Sequence, residues 1–146
     1  MNLFGMMQLS GSALLAERER AELTATNLAN AETTRTVEGG PYRKQNVVFQ
    51  ASHPFATGFA ATLASFTDIH TQTVQVARVF EDHSAPIRRF DPSHPDADAT
   101  GYVDLPNVNP VEEIVDLVEA ARSYQMNVSA IQTTKAMIQA AIQIAA

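Results

Sequence analysis

The sequence predicts an α+β fold, with a long helix at each end of the chain and a small β-rich insert between them. Three observations carry that prediction. A heptad-like apolar stripe runs back from Leu28 to Phe4, and a second starts behind Asn109-Pro110 and continues to Ile142. All seven prolines fall between Pro41 and Pro110, where β-branched and aromatic residues gather in short runs.

The N-terminal stripe reads Phe4, Met7, Gly11, Leu14, Arg18, Ala21, Ala25 and Leu28, in steps of three and four, interrupted at Gly11 and Arg18. Beside it lie Leu9, Ala13, Ala16, Arg20, Leu23, Asn27 and Asn30, so the helix expected over residues 3 to 30 has apolar surface on more than one flank. Gly11 is its weak point. Asn27 and Asn30 are the unusual members, because an asparagine amide competes for nearby backbone groups and makes a mediocre helix former. Two readings stay open for the pair: a fraying, solvated helix end, or a helix–helix seam where a buried amide sets register and partner.

In the insert, "YRKQNVVFQ" (Tyr42 to Gln50) and "TVQVARVF" (Thr73 to Phe80) read as strands, and "IRRF" (Ile87 to Phe90) as a shorter one. Residues 51 to 72 mix both periods and receive no assignment. The C-terminal helix has a clear start. Asn109 can cap, Pro110 suits the first helical position, and Glu112 favours the positive end of the dipole. Its seam then runs Ile114, Leu117, Ala121, Tyr124, Val128, Ile131, Lys135, Ile138 and Ile142 without a break, and Lys135 alone is charged. No proline or glycine follows Pro110, so this helix can extend for about 50 Å at about 1.5 Å per residue. The expected organisation is an N-terminal helix in residues 1–30, an insert in 31–109 and a C-terminal helix in 110–146.

A chain of 146 residues holds one modest domain, or a small one with long helical extensions. The net charge is −6, and the basic residues are scattered as Arg18/Arg20, Arg43/Lys44 and Arg88/Arg89. A phosphate backbone calls for a basic stripe, so nucleic acid is not expected as a partner. The absence of cysteine removes disulfides, thiolate chemistry and Cys-based zinc sites. The opening "MNLFGMMQLS" has no Lys or Arg, and no apolar stretch approaches the ~20 residues of a membrane helix, so neither a cleavable signal nor membrane insertion is expected.

Catalytic, cofactor and metal sites are likewise expected to be absent. His53, His70, His83 and His94 fall in different segments and form no HxxxH pair, and there is no G-x-S-x-G, phosphate loop or paired carboxylate in an apolar setting. "DADATG" (Asp96 to Gly101) imitates the first half of a calcium loop, with Asp96, Asp98, Thr100, Gly101 and Asp104 at positions one, three, five, six and nine. Asn107 stands where the bidentate glutamate belongs, and Pro92 and Pro95 forbid a preceding helix. An Asx-rich turn is the expectation there. From the residues alone, the reading is a helical interaction protein with a β insert.

Four segments, in order, extend the resemblance over nearly the whole chain. "NLANAET" (27 to 33), "GPYRKQNVVFQ" (40 to 50), "HPDADATGYVDLPNVNPVEEIVDL" (94 to 117) and "AARSYQMNV" (120 to 128) together resemble the FlgC family of flagellar basal-body rod proteins. The "NLANA" element is shared more loosely with other rod, hook and hook-associated proteins, and the segment from His94 is the more distinctive. Thr26 replaces the usual serine, Ile114 a common methionine, and residues 51 to 72 match poorly.

The resemblance implies a structural subunit without enzymatic activity, exported unfolded and uncleaved through the flagellar type III apparatus. It implies polymerisation in the periplasm with itself, with other proximal and distal rod subunits and with a rod-base adaptor, transmitting torque and forming the export channel. It also implies that the terminal helices pack as an antiparallel-type coiled coil lining the tube, here residues 3–30 against 110–146, with the insert outside. The expected assembly interface comprises Leu14, Asn27, Leu28, Asn30, Ile114, Leu117, Ala121, Tyr124, Val128, Ile131, Ile138 and Ile142. The alternative is a cytosolic coiled-coil adaptor that binds a partner helix, and it differs in predicting a chain whose terminal helices are stable without neighbours.

Overall fold

In the computed structural model, which describes residues 3–52 and 72–145, a long helix at each end flanks four strands. The order is α1 (Leu3–Ala29), β1 (Gln45–Ser52), β2 (Thr73–Glu81), β3 (Ile87–Phe90), β4 (Tyr102–Leu105) and α2 (Pro110–Ala145). The fold is α+β. β1 pairs with β2, and β3 pairs antiparallel with β4 in the register Ile87↔Leu105, Arg88↔Asp104, Arg89↔Val103 and Phe90↔Tyr102.

The start of α2 follows from its cap. The Val111 N–H donates to Asn109 Oδ1 at 3.1 Å, the Glu113 N–H to the Asn109 carbonyl at 3.1 Å, and Asn109 Nδ2 to Glu112 Oε1 at 3.1 Å. The Val111 N–H, otherwise orphaned at the helix start, is thereby satisfied, with proline at the position where a missing N–H costs nothing. α1 passes through Gly11 without a break, in space that a Cβ would not contest. It ends at Ala29, one residue before the expected limit, where Asn30 folds back to donate from Nδ2 to the Thr26 carbonyl at 2.9 Å.

The insert differs from expectation in two respects. β1 begins three residues later than Tyr42, at Gln45, because Tyr42 is held in the approach: its N–H bonds the Thr33 carbonyl at 3.0 Å. β4 was not anticipated, being four residues long and embedded in a turn-rich stretch. Its alternation is nonetheless complete, with Val103 and Leu105 buried and Tyr102 and Asp104 exposed. Most of the unassigned stretch, with His53 and His70, lies outside the described residues.

The loop from β3 to β4 is an Asx-type turn. Asp98 Oδ1 accepts from the Thr100 N–H (2.7 Å), the Thr100 hydroxyl (2.6 Å) and the Tyr102 N–H (3.0 Å), while Oδ2 accepts from Arg88 (2.6 Å). Gly101 closes the turn at φ +81, where a Cβ would come within 2.9 Å of Phe90 Cε2. Phe90 and Tyr102 stack edge to face at 5.2 Å, with the Arg88 guanidinium 5.0 Å from the Tyr102 ring centre.

Contacts divide the chain into two compact units. One comprises Met1–Glu19, Val48–Arg78 and Ala120–Ala146; the other comprises Arg20–Val47 and Val79–Glu119. In the second, Arg20 reaches Asp116 and Glu119 at 3.4 Å while Asn27 reaches Glu113, so later residues of α1 meet earlier residues of α2. The helices run antiparallel there. Its buried side chains include Thr24, Asn27, Val103, Leu105, Pro106, Val108 and Glu113. In the first unit the fully buried described residues are small: Gly5, Ala16, Ala120 and Thr134.

Candidate assembly interface

The two asparagines of α1 prove to have different roles. Asn27 is 2 % exposed and uses its whole hydrogen-bonding capacity. Its Nδ2 donates to the Gln45 carbonyl (2.9 Å) and to Glu113 Oε2 (3.2 Å), and its Oδ1 accepts from the Tyr42 hydroxyl (2.9 Å) and the Gln45 N–H (2.9 Å). One amide thus joins α1 to β1, to the approach before it and to α2. Asn30, by contrast, is half-buried and bonds locally, to Thr26 and to the Thr33 hydroxyl (3.2 Å).

Glu113, only 1 % exposed, completes the cluster by pairing its Oε1 with Lys44 Nζ at 2.6 Å. A buried carboxylate is tolerable where a cation and a hydrogen-bond donor both face it, as here. Burial first, and then the negative charges of Glu113 and Glu81, push the Tyr42 hydroxyl above its ordinary value of 10.0. It therefore stays protonated at neutral pH and remains a donor to Asn27. Lys44, Tyr42, Gln45 and Glu113 were not among the sequence candidates. Glu113 carries a signal, being one heptad before Ala120 and three before Thr134, both of which are buried.

That heptad line defines the face α2 turns toward its own chain. Glu113, Ala120 and Thr134 are buried and Asn127, between the last two, is half-buried, so the covered face is polar or small. The apolar seam lies to one side of that line: Ile114, Ala121, Val128 and Ile142 are about 100° round the helix, and Leu117, Tyr124, Ile131 and Ile138 about 40°. Of its members, Leu117, Val128, Ile131 and Ile138 are half-buried, while Ala121 is exposed, as are Ile114 (50 %), Tyr124 (42 %) and Ile142 (63 %). Val111, Val115, Val118, Met126 and Met137 are exposed as well. On α1, Leu14 and Leu28 are half-buried, and Phe4 and Leu15 are largely open. Large apolar side chains thus face outward along both helices.

The remaining candidates for chemistry are engaged in structure. Asp96 accepts from the Thr34 hydroxyl at 2.7 Å, Asp104 lies 3.4 Å from Arg88 Nε, His94 Nδ1 accepts from the Asp96 N–H at 3.1 Å, and His83 meets Arg43. Among the described residues no group of three or more His, Asp or Glu could hold a metal ion, and no helix is long and apolar enough to cross a membrane.

Residues 99–144, which span β4 and nearly all of α2, match the family model described as flagellar basal body rod FlgEFG protein C-terminal. Proteins named flagellar basal-body rod protein FlgC are similar along the full length. That of Borreliella burgdorferi is 38% identical over 99% of this chain and 98% of its own, and that of Bacillus subtilis is 38% identical over 99% of each. The protein of that name from Escherichia coli O6:H1 is 40% identical over 94% of each chain.

Proposed function

The chain belongs to the FlgC family of flagellar basal-body rod proteins, and from that premise we propose that it is a structural subunit of the proximal rod, polymerising through its terminal helices. In that role it lines the export channel and transmits torque. It is a building element of the basal body, not an enzyme. One observation supports the assembly surface above the others: the apolar seam of α2 is open at Ile114, Tyr124 and Ile142, while the face turned inward is polar and small. A lone helix pair gains little from such packing, and neighbouring subunits supply the missing apolar contacts.

The interface comprises Leu14, Leu28 and the seam from Ile114 to Ile142, with Asn27 and Asn30 fixing the junction between helix and insert. The partners are other copies, the proximal and distal rod subunits and the adaptor at the rod base. The chain reaches the periplasm unfolded, through the flagellar type III export apparatus and without cleavage.

Val128→Asp tests this reading. Val128 sits mid-seam and half-buried, four residues from Tyr124 and three from Ile131. Lys135, the nearest cation along the seam, is about 10 Å further along the axis. An unpaired carboxylate buried at a subunit contact costs several kcal/mol, enough to abolish a weak polymer contact, whereas export of an unfolded chain does not sense it. Cells carrying the variant are expected to secrete the protein but to build no rod, hook or filament. Swimming cells, or a variant held in the cytoplasm at normal expression, would show that the seam is not the assembly surface.

A further inference from the structure

We infer that the buried cluster of Asn27, Tyr42, Lys44, Gln45 and Glu113 is a torsion-bearing joint, which fixes the angle between the insert and the two helices when the rod turns. The inference rests on the rod-subunit reading and deepens it, by assigning a mechanical role to residues that lie off the apolar seam.

The argument begins with the chain's own connections. Between α1 and β1 the backbone turns at Gly39 and Gly40, both at positive φ and both in open space. A turn of this kind, closed by the Thr36 N–H on the Gly40 carbonyl at 2.9 Å, sets where the chain goes but braces neither helix. A rotation applied to the helices therefore has to reach the insert through side chains. Apolar contacts resist separation but slide past one another, because burial has no direction. Hydrogen bonds and ion pairs in fixed geometry resist rotation.

The cluster supplies such bonds between every pair of parts. Asn27 ties α1 to the insert through Gln45 and Tyr42, and ties α1 to α2 through Glu113. Lys44 ties the insert to α2 through its 2.6 Å pair with Glu113. Because Asn27 and Glu113 are almost wholly buried, water does not stand in for a bond that opens under strain. Opening any one of them strands a polar group, so the three parts move as one piece or pay a steep energetic penalty.

The test replaces the tie between α2 and the insert while leaving that of α1 in place. In Lys44→Met/Glu113→Gln the charge pair is removed, but the new amide oxygen still accepts from Asn27 Nδ2 and the methionine still fills the space of the lysine stem. Lys44→Arg keeps the pair and serves as the conservative variant. Each is expressed in a strain lacking its own copy, basal bodies are counted by electron microscopy, and swimming speed is followed as the medium is thickened with an inert polysaccharide. Circular dichroism of the purified variants establishes that they fold.

The double variant is expected to build rods in wild-type number and to swim normally in dilute medium, then to stall or shed filaments at viscosities that wild type tolerates. Lys44→Arg is expected to follow wild type throughout. The inference is overturned if the double variant slows with viscosity as wild type does, or if it folds yet builds no rods, which would make the cluster an assembly element. Failure of the wild-type gene to restore rods would instead sink the rod-subunit reading itself.

Discussion

The two compact units satisfy their buried polar groups in different ways. In the unit of Arg20–Val47 and Val79–Glu119, the bonds run between elements: Asn27 to Gln45, Tyr42 and Glu113, Lys44 to Glu113, and Arg20 to Asp116 and Glu119. In the other, they mostly stay within a helix. Thr134 donates to the Ala130 carbonyl at 2.8 Å, Asn127 to that of Ser123 at 2.9 Å, and Ser12 to that of Leu9 at 2.8 Å, although Ser12 also accepts from the Val74 N–H at 3.0 Å. A side chain satisfied by its own helix does not mind which neighbour it meets. One satisfied across elements tolerates a single register. The difference teaches where register is written, near the junction of helices and insert, and where it is left for neighbours to decide.

The largest expected effect comes from removing the cross-element amide. Asn27→Ala strands the Gln45 backbone, the Tyr42 hydroxyl and one oxygen of Glu113, and is expected to cost about 3–5 kcal/mol in denaturant unfolding. Hydrogen exchange should show lost protection at residues 20–29, 42–47 and 110–119, and rods should fail to form while expression stays normal. A cost below about 1 kcal/mol would erase the distinction between the units. Next in size is Gly101→Ala, which places a Cβ at positive φ and against Phe90. It is expected to cost about 1–2 kcal/mol from the backbone alone, read as a lower unfolding midpoint.

A sharper contrast comes from Thr134→Val, at a buried hydroxyl that bonds its own helix. Its unfolding free energy should change by less than about 1 kcal/mol, because the hydroxyl vanishes together with its bond to the Ala130 carbonyl, which belongs to the same helix. The smallest effect concerns acid. Asp98 is held at about 2, below its ordinary 3.8, chiefly by the Thr100 hydroxyl and then by the Tyr102 N–H. Since the folded value is the lower one, its contribution to the turn is complete above the ordinary value and disappears as the pH falls from there through about 2. Nuclear magnetic resonance of the Asp98 carboxyl should show that titration, and Thr100→Ala should move it upward.

Much of the architecture was legible because it depends on near neighbours. Asn109-Pro110 with Glu112 marked the start of α2, and the continuous spacing to Ile142 marked its length. β4 was missed because four residues, Tyr102 to Leu105, carry too little alternation to stand out among turn residues. Asn27 was singled out as odd in an apolar helix, but its partners were not readable, since Gln45 and Glu113 lie 18 and 86 residues away. Nor did the seam reveal which face α2 turns inward. Periodicity places the apolar line, and it was the polar line beside it, through Glu113, Ala120 and Thr134, that the chain buried.

The cap at Asn109 turns residue count into angle. With its first turn pinned there and Glu113 locked inside, α2 carries every later side chain at an orientation set by the number of residues from that point. One inserted residue beyond Glu113 would swing all that follows by about 100°, moving the polar line out and bringing the line of Glu119, Met126 and Thr133 into its place. The same insertion between Leu105 and Asn109 would lengthen a loop and leave the helix untouched. The C-terminal end of α2 has no such anchor in its last turn, which lacks a basic residue. A deletion a few residues past Glu113 would therefore rewrite the whole outer surface of the helix, while a truncation of its last turn would remove Ile142 and leave the orientation of every earlier residue unchanged.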